Sequence, residues 1–106
     1  MFIARWQIDA RFGYKQQAIE LMREWERDIG PKAGIDPSRS TVATGSIGAL
    51  EATIENSVSV ESLAELEGFF ARIGQNPAHG EWGRKLEPYV VSGTSRWTIL
   101  RVVPKG

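Results

Sequence analysis

Apolar and polar residues alternate from the start of the chain. Phe2, Ala4, Trp6, Ile8 and Ala10 interleave with Ile3, Arg5, Gln7, Asp9 and Arg11, a period of two that predicts a strand with one apolar and one mostly polar face. After Gly13 the period lengthens. Tyr14, Ala18, Leu21, Met22, Trp25 and Ile29 form the stripe of an amphipathic helix, with Lys15, Gln16, Glu20, Arg23, Glu24 and Arg27 opposite. Gly30-Pro31 is its expected stop, a residue tolerant of left-handed backbone followed by one that cannot continue the ladder.

Residues 31–40 hold two prolines and one glycine beyond Gly30, the composition of a loop. Two strands are expected around the turn Gly45-Ser46-Ile47-Gly48: residues 40–46, and a second in which Leu50, Ala52 and Ile54 alternate with Glu51, Thr53 and Glu55. Residues 56–59 are polar and read as a connector. Ser59 or Ser62 caps the next helix, and Ser62-Leu63-Ala64-Glu65 matches a capping box. Its buried stripe is Leu63, Leu66, Phe69, Phe70 and Ile73. Gly74-Gln75-Asn76-Pro77 interrupts this helix, with Asn76 as a fresh cap and Pro77 at the first helical position. Ala78, Trp82 and Leu86 then face inward until Pro88. After Gly93, Trp97, Ile99, Arg101 and Val103 alternate with Arg96, Thr98, Leu100 and Val102. Both faces are largely apolar, as expected of a central or interface-buried strand.

The order strand, helix, strand, strand, helix, strand predicts an α+β, ferredoxin-like βαββαβ fold: a four-stranded antiparallel sheet with both helices on one face. At 106 residues the chain is expected to form one domain, 1–106. The uncovered sheet face carries Trp or Ile among its polar residues, which predicts a homodimer through that non-helical face.

Thirteen basic and thirteen acidic residues cancel, so no net field favours nucleic acid or an anionic membrane. Without cysteine there is no thiolate nucleophile, zinc-thiolate site or disulfide framework. No run approaches the ~18 apolar residues of a membrane span, and the first residues lack the regions of a signal peptide. A cytoplasmic protein is expected.

The stretch His79-Gly80-Glu81-Trp82-Gly83-Arg84-Lys85-Leu86-Glu87-Pro88-Tyr89, then Gly93, then Arg96-Trp97-Thr98-Ile99-Leu100-Arg101-Val102-Val103, resembles the C-terminal half of dimeric α/β-barrel proteins, in particular the small bacterial NIPSNAP-like and antibiotic-monooxygenase-like group. The resemblance implies a dimeric α/β barrel. It brings a range of functions with it: cofactor-free monooxygenases, lactone isomerases, haem enzymes and members without known activity. Haem members hold a proximal histidine on the helical side of the pocket, and His79 is the one histidine here. The chain is shorter than those enzymes, and no cofactor is expected.

The candidate chemistry is sparse. His79 lies in a first helical turn, where the positive dipole end favours a neutral, base-competent imidazole. Arg5 and Arg101 are candidates to hold a carboxylate or enolate. Arg5, Gln7 and Asp9 would share the non-helical face with Glu51, Thr53 and Glu55 if their strands are neighbours, either as pocket lining or as ion pairs that fix dimer register. Trp6, Trp25 and Trp82 lie on the apolar stripes of their own elements and read as core. Trp97 is open to either face and would shape a substrate pocket with Ile3 and Ile99. The glycines of 45–48 are not a phosphate loop, since no Lys-Ser/Thr and no helix follow. The expected function is binding of a small hydrophobic or aromatic molecule between sheet and helices; a cofactor-independent monooxygenase or isomerase, or a module without a ligand, are the alternatives.

Overall fold

A computed structural model describes residues 1–105. Its elements run β1 (Phe2–Asp9), α1 (Lys15–Glu24), a π turn (Trp25–Ile29), a 3-10 turn (Gly30–Ala33), a second 3-10 turn (Pro37–Arg39), β2 (Ser40–Thr44), β3 (Thr53–Val60), α2 (Leu63–Gly74), α3 (Pro77–Leu86), a 3-10 turn (Glu87–Tyr89) and β4 (Arg96–Arg101). The strands pair antiparallel in the order β2-β3-β1-β4. This is the ferredoxin-like arrangement, with the second helix interrupted between Gly74 and Pro77. Within the chain the sheet is open, so the barrel of the expected description is not closed by these strands. Among the described residues no helix is long and apolar enough to cross a membrane.

Register determines what each face carries. Phe2, Ala4, Trp6 and Ile8 of β1 stand opposite Val60, Val58, Asn56 and Ile54 of β3, and Phe2, Ala4 and Trp6 stand opposite Arg101, Ile99 and Trp97 of β4. Directly opposed residues share a face, so all of these lie on the inner, helix-covered side. Two adjoining cores form there. Ile8, Ile54, Ala18, Met22 and Trp82 join β1 and β3 to the first and third helices. Ala4, Val58, Val60, Leu66 and Phe69 join the same strands to α2.

Several elements depart from the expected pattern. Gly30 does not stop the first helix. Its backbone is right-handed (φ −53°), and the chain continues as a 3-10 turn to Gly34, whose φ of +90° makes it the left-handed terminus. Gly30 is small for a different reason: a Cβ there would lie 3.0 Å from Cζ3 of Trp25. β3 runs through residues 56–59, expected as a connector, because both of its edges are paired and its main-chain groups are met only as strand. β2 ends at Thr44.

The last strand is not central. β4 is at the sheet edge with every residue exposed in the single chain. The helices pack over β1 and β3, and β4 lies beyond most of their reach.

Both expected caps are present. Ser62 Oγ accepts from the Glu65 N–H at 3.1 Å, and Asn76 Oδ1 accepts from the Ala78 N–H at 3.0 Å. The Glu65 carboxylate reaches back to the N–H of Glu61 at 2.9 Å, one residue before the cap. Ser62→Ala is expected to lower stability by about 1 kcal/mol, read from urea denaturation.

Candidate functional site

Four tryptophans from four different elements converge on one cavity of about 380 Å³ between the sheet and the helices. Trp6 comes from β1, Trp25 opens the π turn, Trp82 lies mid-way along α3 and Trp97 belongs to β4. Trp82 is at the centre, its ring centroid 6.2 Å from that of Trp6 and 6.4 Å from that of Trp25. Phe70 of α2 meets Trp97 edge-on at 5.0 Å, and these two, 42% and 50% exposed, form the mouth. Ile35, Val58, Ile73 and Leu86 supply aliphatic wall.

Three of the indole N–H groups are engaged. Trp6 Nε1 donates to Ser95 Oγ at 2.7 Å, Trp25 Nε1 to His79 Nδ1 at 3.0 Å, and Trp82 Nε1 to the Leu21 carbonyl at 2.6 Å. These rings therefore offer apolar surface to the cavity. Among the described residues no Asp, Glu, Lys or Arg lines it, so a charged guest would be desolvated without a counter-charge.

His79 stacks on Trp82 (5.7 Å, 23° between planes) and meets Trp25 edge-on. Its ring also borders a shallow outer depression flanked by Glu81 and Arg84. The indole nitrogen of Trp25 can only donate, so Nδ1 is the lone-pair nitrogen and the neutral ring carries its hydrogen on Nε2. This differs from the expected general base, because the basic nitrogen is already occupied. It also does not fit an iron ligand: ligation through Nε2 would move that hydrogen to Nδ1, against the Trp25 N–H, and ligation through Nδ1 would displace Trp25. Among the described residues no group of three or more His, Asp or Glu side chains could hold a metal ion.

Burial holds the His79 imidazole below its usual 6.5. The unfolded chain then binds the proton more readily than the folded one. The contribution to stability is complete above about pH 6.5 and declines as pH falls towards the folded-state value. We expect the unfolding free energy to drop as pH falls below about 6.5 in the wild type and to be flatter in His79→Phe, measured by urea denaturation at each pH.

The polar residues of β1 lie on the outer face, as expected for that strand. Arg5 donates to Glu55 Oε1 from Nε at 2.9 Å and approaches it with Nη2 at 2.8 Å, and Gln7 donates to the same oxygen at 2.7 Å. Arg96 continues the network to Gln7 Oε1 at 3.0 Å and Asp9 Oδ1 at 3.4 Å, while Thr53 donates to Asp9 at 2.8 Å. Burial opposes the charge on Glu55, but its bonds from Arg5 and Gln7, with the Arg5 charge, outweigh that and hold its carboxyl below the usual range. Glu51 lies outside β3, in the loop before it.

The candidate residues are thus divided by the sheet. Trp97 and Ile99 share the inner face, but only Trp97 lines the cavity. Ile3 is on the outer face, opposite Leu100, so it cannot shape a pocket with Trp97. Arg5 is outside and paired with Glu55, whereas Arg101 is on the inner side, opposite Phe2 and away from the cavity. The two arginines of one chain cannot grip one anion. Trp6, Trp25 and Trp82 do pack against the core, yet they also wall the cavity.

Asn56 and Phe70 were not anticipated as site residues. Asn56 is a polar residue in the apolar phase Ile54, Val58, Val60, a signal visible only once β3 is extended through it. Its Oδ1 accepts from Ser40 Oγ at 3.2 Å, and among the described residues its amide nitrogen has no hydrogen-bond partner.

No family model matches the sequence, and no curated protein matches it. Solved structures do. A NIPSNAP family protein of Agrobacterium tumefaciens superposes with a TM-score of 0.76 at 17% identity, covering 96% of this chain and 92% of that one. A NIPSNAP-like domain protein of Burkholderia xenovorans gives 0.71 at 20% identity, with 96% and 84% covered. A Bordetella bronchiseptica protein provisionally described as an antibiotic biosynthesis monooxygenase gives 0.68 at 15% identity, with 97% and 98% covered. The chain has the ferredoxin-like fold of NIPSNAP family and antibiotic-monooxygenase-like proteins.

Proposed function

We propose that this protein binds a small, flat, hydrophobic or aromatic molecule in the cavity between sheet and helices. The observation that carries this reading is the convergence of Trp6, Trp25, Trp82 and Trp97 on one uncharged cavity, a setting in which a flat guest gains ring contact on several sides. An enzyme of the monooxygenase or isomerase kind would need a base and an anion-holding cation at the guest. Arg5 and Arg101 are elsewhere and Nδ1 of His79 is occupied, which favours binding over turnover.

Equilibrium dialysis against 2-acetylnaphthalene tests this. Saturable uptake of one molecule per chain is expected, weakened about tenfold in Trp97→Ala, a mouth position where truncation leaves the core intact. Absent uptake, or uptake indifferent to Trp97, would contradict the reading.

The same proposal includes a homodimer through the outer sheet face and a cytoplasmic setting. Ile3 and Leu100 stand opposite each other on that face beside the Arg5–Glu55 and Arg96–Asp9 pairs, whose charges balance. An apolar patch next to a neutral network suits burial against its own copy. Sedimentation equilibrium is expected to give a dimer, and Leu100→Glu a folded monomer; a monomeric wild type would contradict the pairing.

A further inference from the structure

Two residues that line the cavity, Asn56 and His79, carry an N–H without a partner, while among the described residues no charged side chain lines it, and that imbalance selects among flat guests. We infer that the cavity selects neutral aromatic molecules bearing a carbonyl-type acceptor, held by the Asn56 amide nitrogen and the His79 Nε2–H. This rests on the aromatic-pocket reading above and names the class of guest that the pocket takes.

The Trp25 indole N–H settles the His79 tautomer, as its bond to Nδ1 leaves the imidazole hydrogen on Nε2. Among the described residues that Nε2 has no partner, and His79 lines both this cavity and the outer depression. On the opposite wall the Ser40 hydroxyl occupies Asn56 Oδ1 and leaves the two amide hydrogens. Asn56 stands in register between Trp6 and Val42, in an inner row otherwise made of Ile54, Val58 and Val60. Packing alone would favour an aliphatic residue there. Two donors facing a guest without an acceptor would be desolvated without return. An anionic guest would fare no better, since among the described residues no Lys or Arg lines the cavity and burial disfavours the charged form of His79. A guest with a neutral carbonyl satisfies both conditions.

Equilibrium dialysis with three probes of similar shape tests this: 2-acetylnaphthalene, its acceptor-free counterpart 2-ethylnaphthalene, and the anion 2-naphthoate. The acetyl compound is expected to bind about tenfold tighter than the ethyl compound, with naphthoate weaker than either. His79→Phe and Asn56→Leu, which preserve volume and apolar contact, are each expected to shrink the acetyl-over-ethyl ratio towards unity while leaving the ethyl compound bound. Equal affinities, a preference for naphthoate, or an acetyl preference that survives both substitutions would overturn the inference and leave the aromatic pocket standing. Failure of all three probes to bind would overturn both.

Discussion

Replacing Trp82 with alanine is expected to lower the unfolding free energy by about 3–5 kcal/mol, the range for removing a large buried aromatic. The side chain is 5% exposed and packs against Trp6, Trp25 and the His79 ring at once. Most of the loss is packing. The Leu21 carbonyl that accepts from the indole keeps a second donor, the Trp25 backbone N–H, so it is not orphaned. Trp82→Phe retains a ring and removes the indole N–H, and should cost distinctly less. Urea denaturation of the two variants separates these terms. Equal losses would mean that the hydrogen bond between the third and first helices, rather than ring packing, holds Trp82 in place.

Gly45→Ala should be the most damaging change in the β2–β3 loop, costing about 3 kcal/mol, at the upper end for inserting one methyl group into a tight site. A Cβ at this position would fall 1.7 Å from the Leu50 carbonyl oxygen. That obstacle is main chain, so no rotamer change relieves it, and the loop would have to open beside the Gly45 N–H bond to Thr53. Gly48 in the same loop provides the contrast. It has a φ of +78°, but a methyl group added there would meet nothing within 4 Å, so Gly48→Ala carries only left-handed backbone strain of about 1–2 kcal/mol. Urea denaturation of both variants makes the comparison. Comparable losses for the two substitutions would mean that close approach at Gly45 is not what requires glycine.

Much of this architecture was legible because single elements announce themselves by period and caps. The alternation in β1, the stripe Ala18–Met22 in α1 and the caps Ser62 and Asn76 all appear where the residues place them. What a chain does not print is the pairing between elements. Arg5 and Arg101 fell on opposite faces because Phe2, not an odd-numbered neighbour, is the partner of Arg101, and a one-residue change of register exchanges the faces. The apolar character of both sides of β4 fits a central or an interface-buried strand, and the sheet order, which puts it at the edge, excludes the first. Asn56 was hidden by its polar neighbours Ser57 and Ser59, which face outward in β3.

The site was legible in its parts and not in its shape. Each tryptophan marks the buried stripe of its own element, and a stripe cannot reveal whether facing stripes close on each other or leave space. Here Trp25 is carried into the cavity by the π turn, with Gly30 leaving room for its ring; widened turns of this kind recur at functional sites. The tautomer of His79 likewise depends on a partner 54 positions away, beyond the reach of any local motif.

The central claim is that the four tryptophans enclose one binding cavity, and the indole N–H resonances report on it directly. In a nitrogen–proton correlation spectrum titrated with 2-acetylnaphthalene, the indole signals of Trp6, Trp25, Trp82 and Trp97 are expected to move together along one saturable curve, while the backbone amides of Thr98 and Leu100 stay in place. Indole signals that remain fixed, or shifts confined to residues of the outer sheet face, would contradict the account.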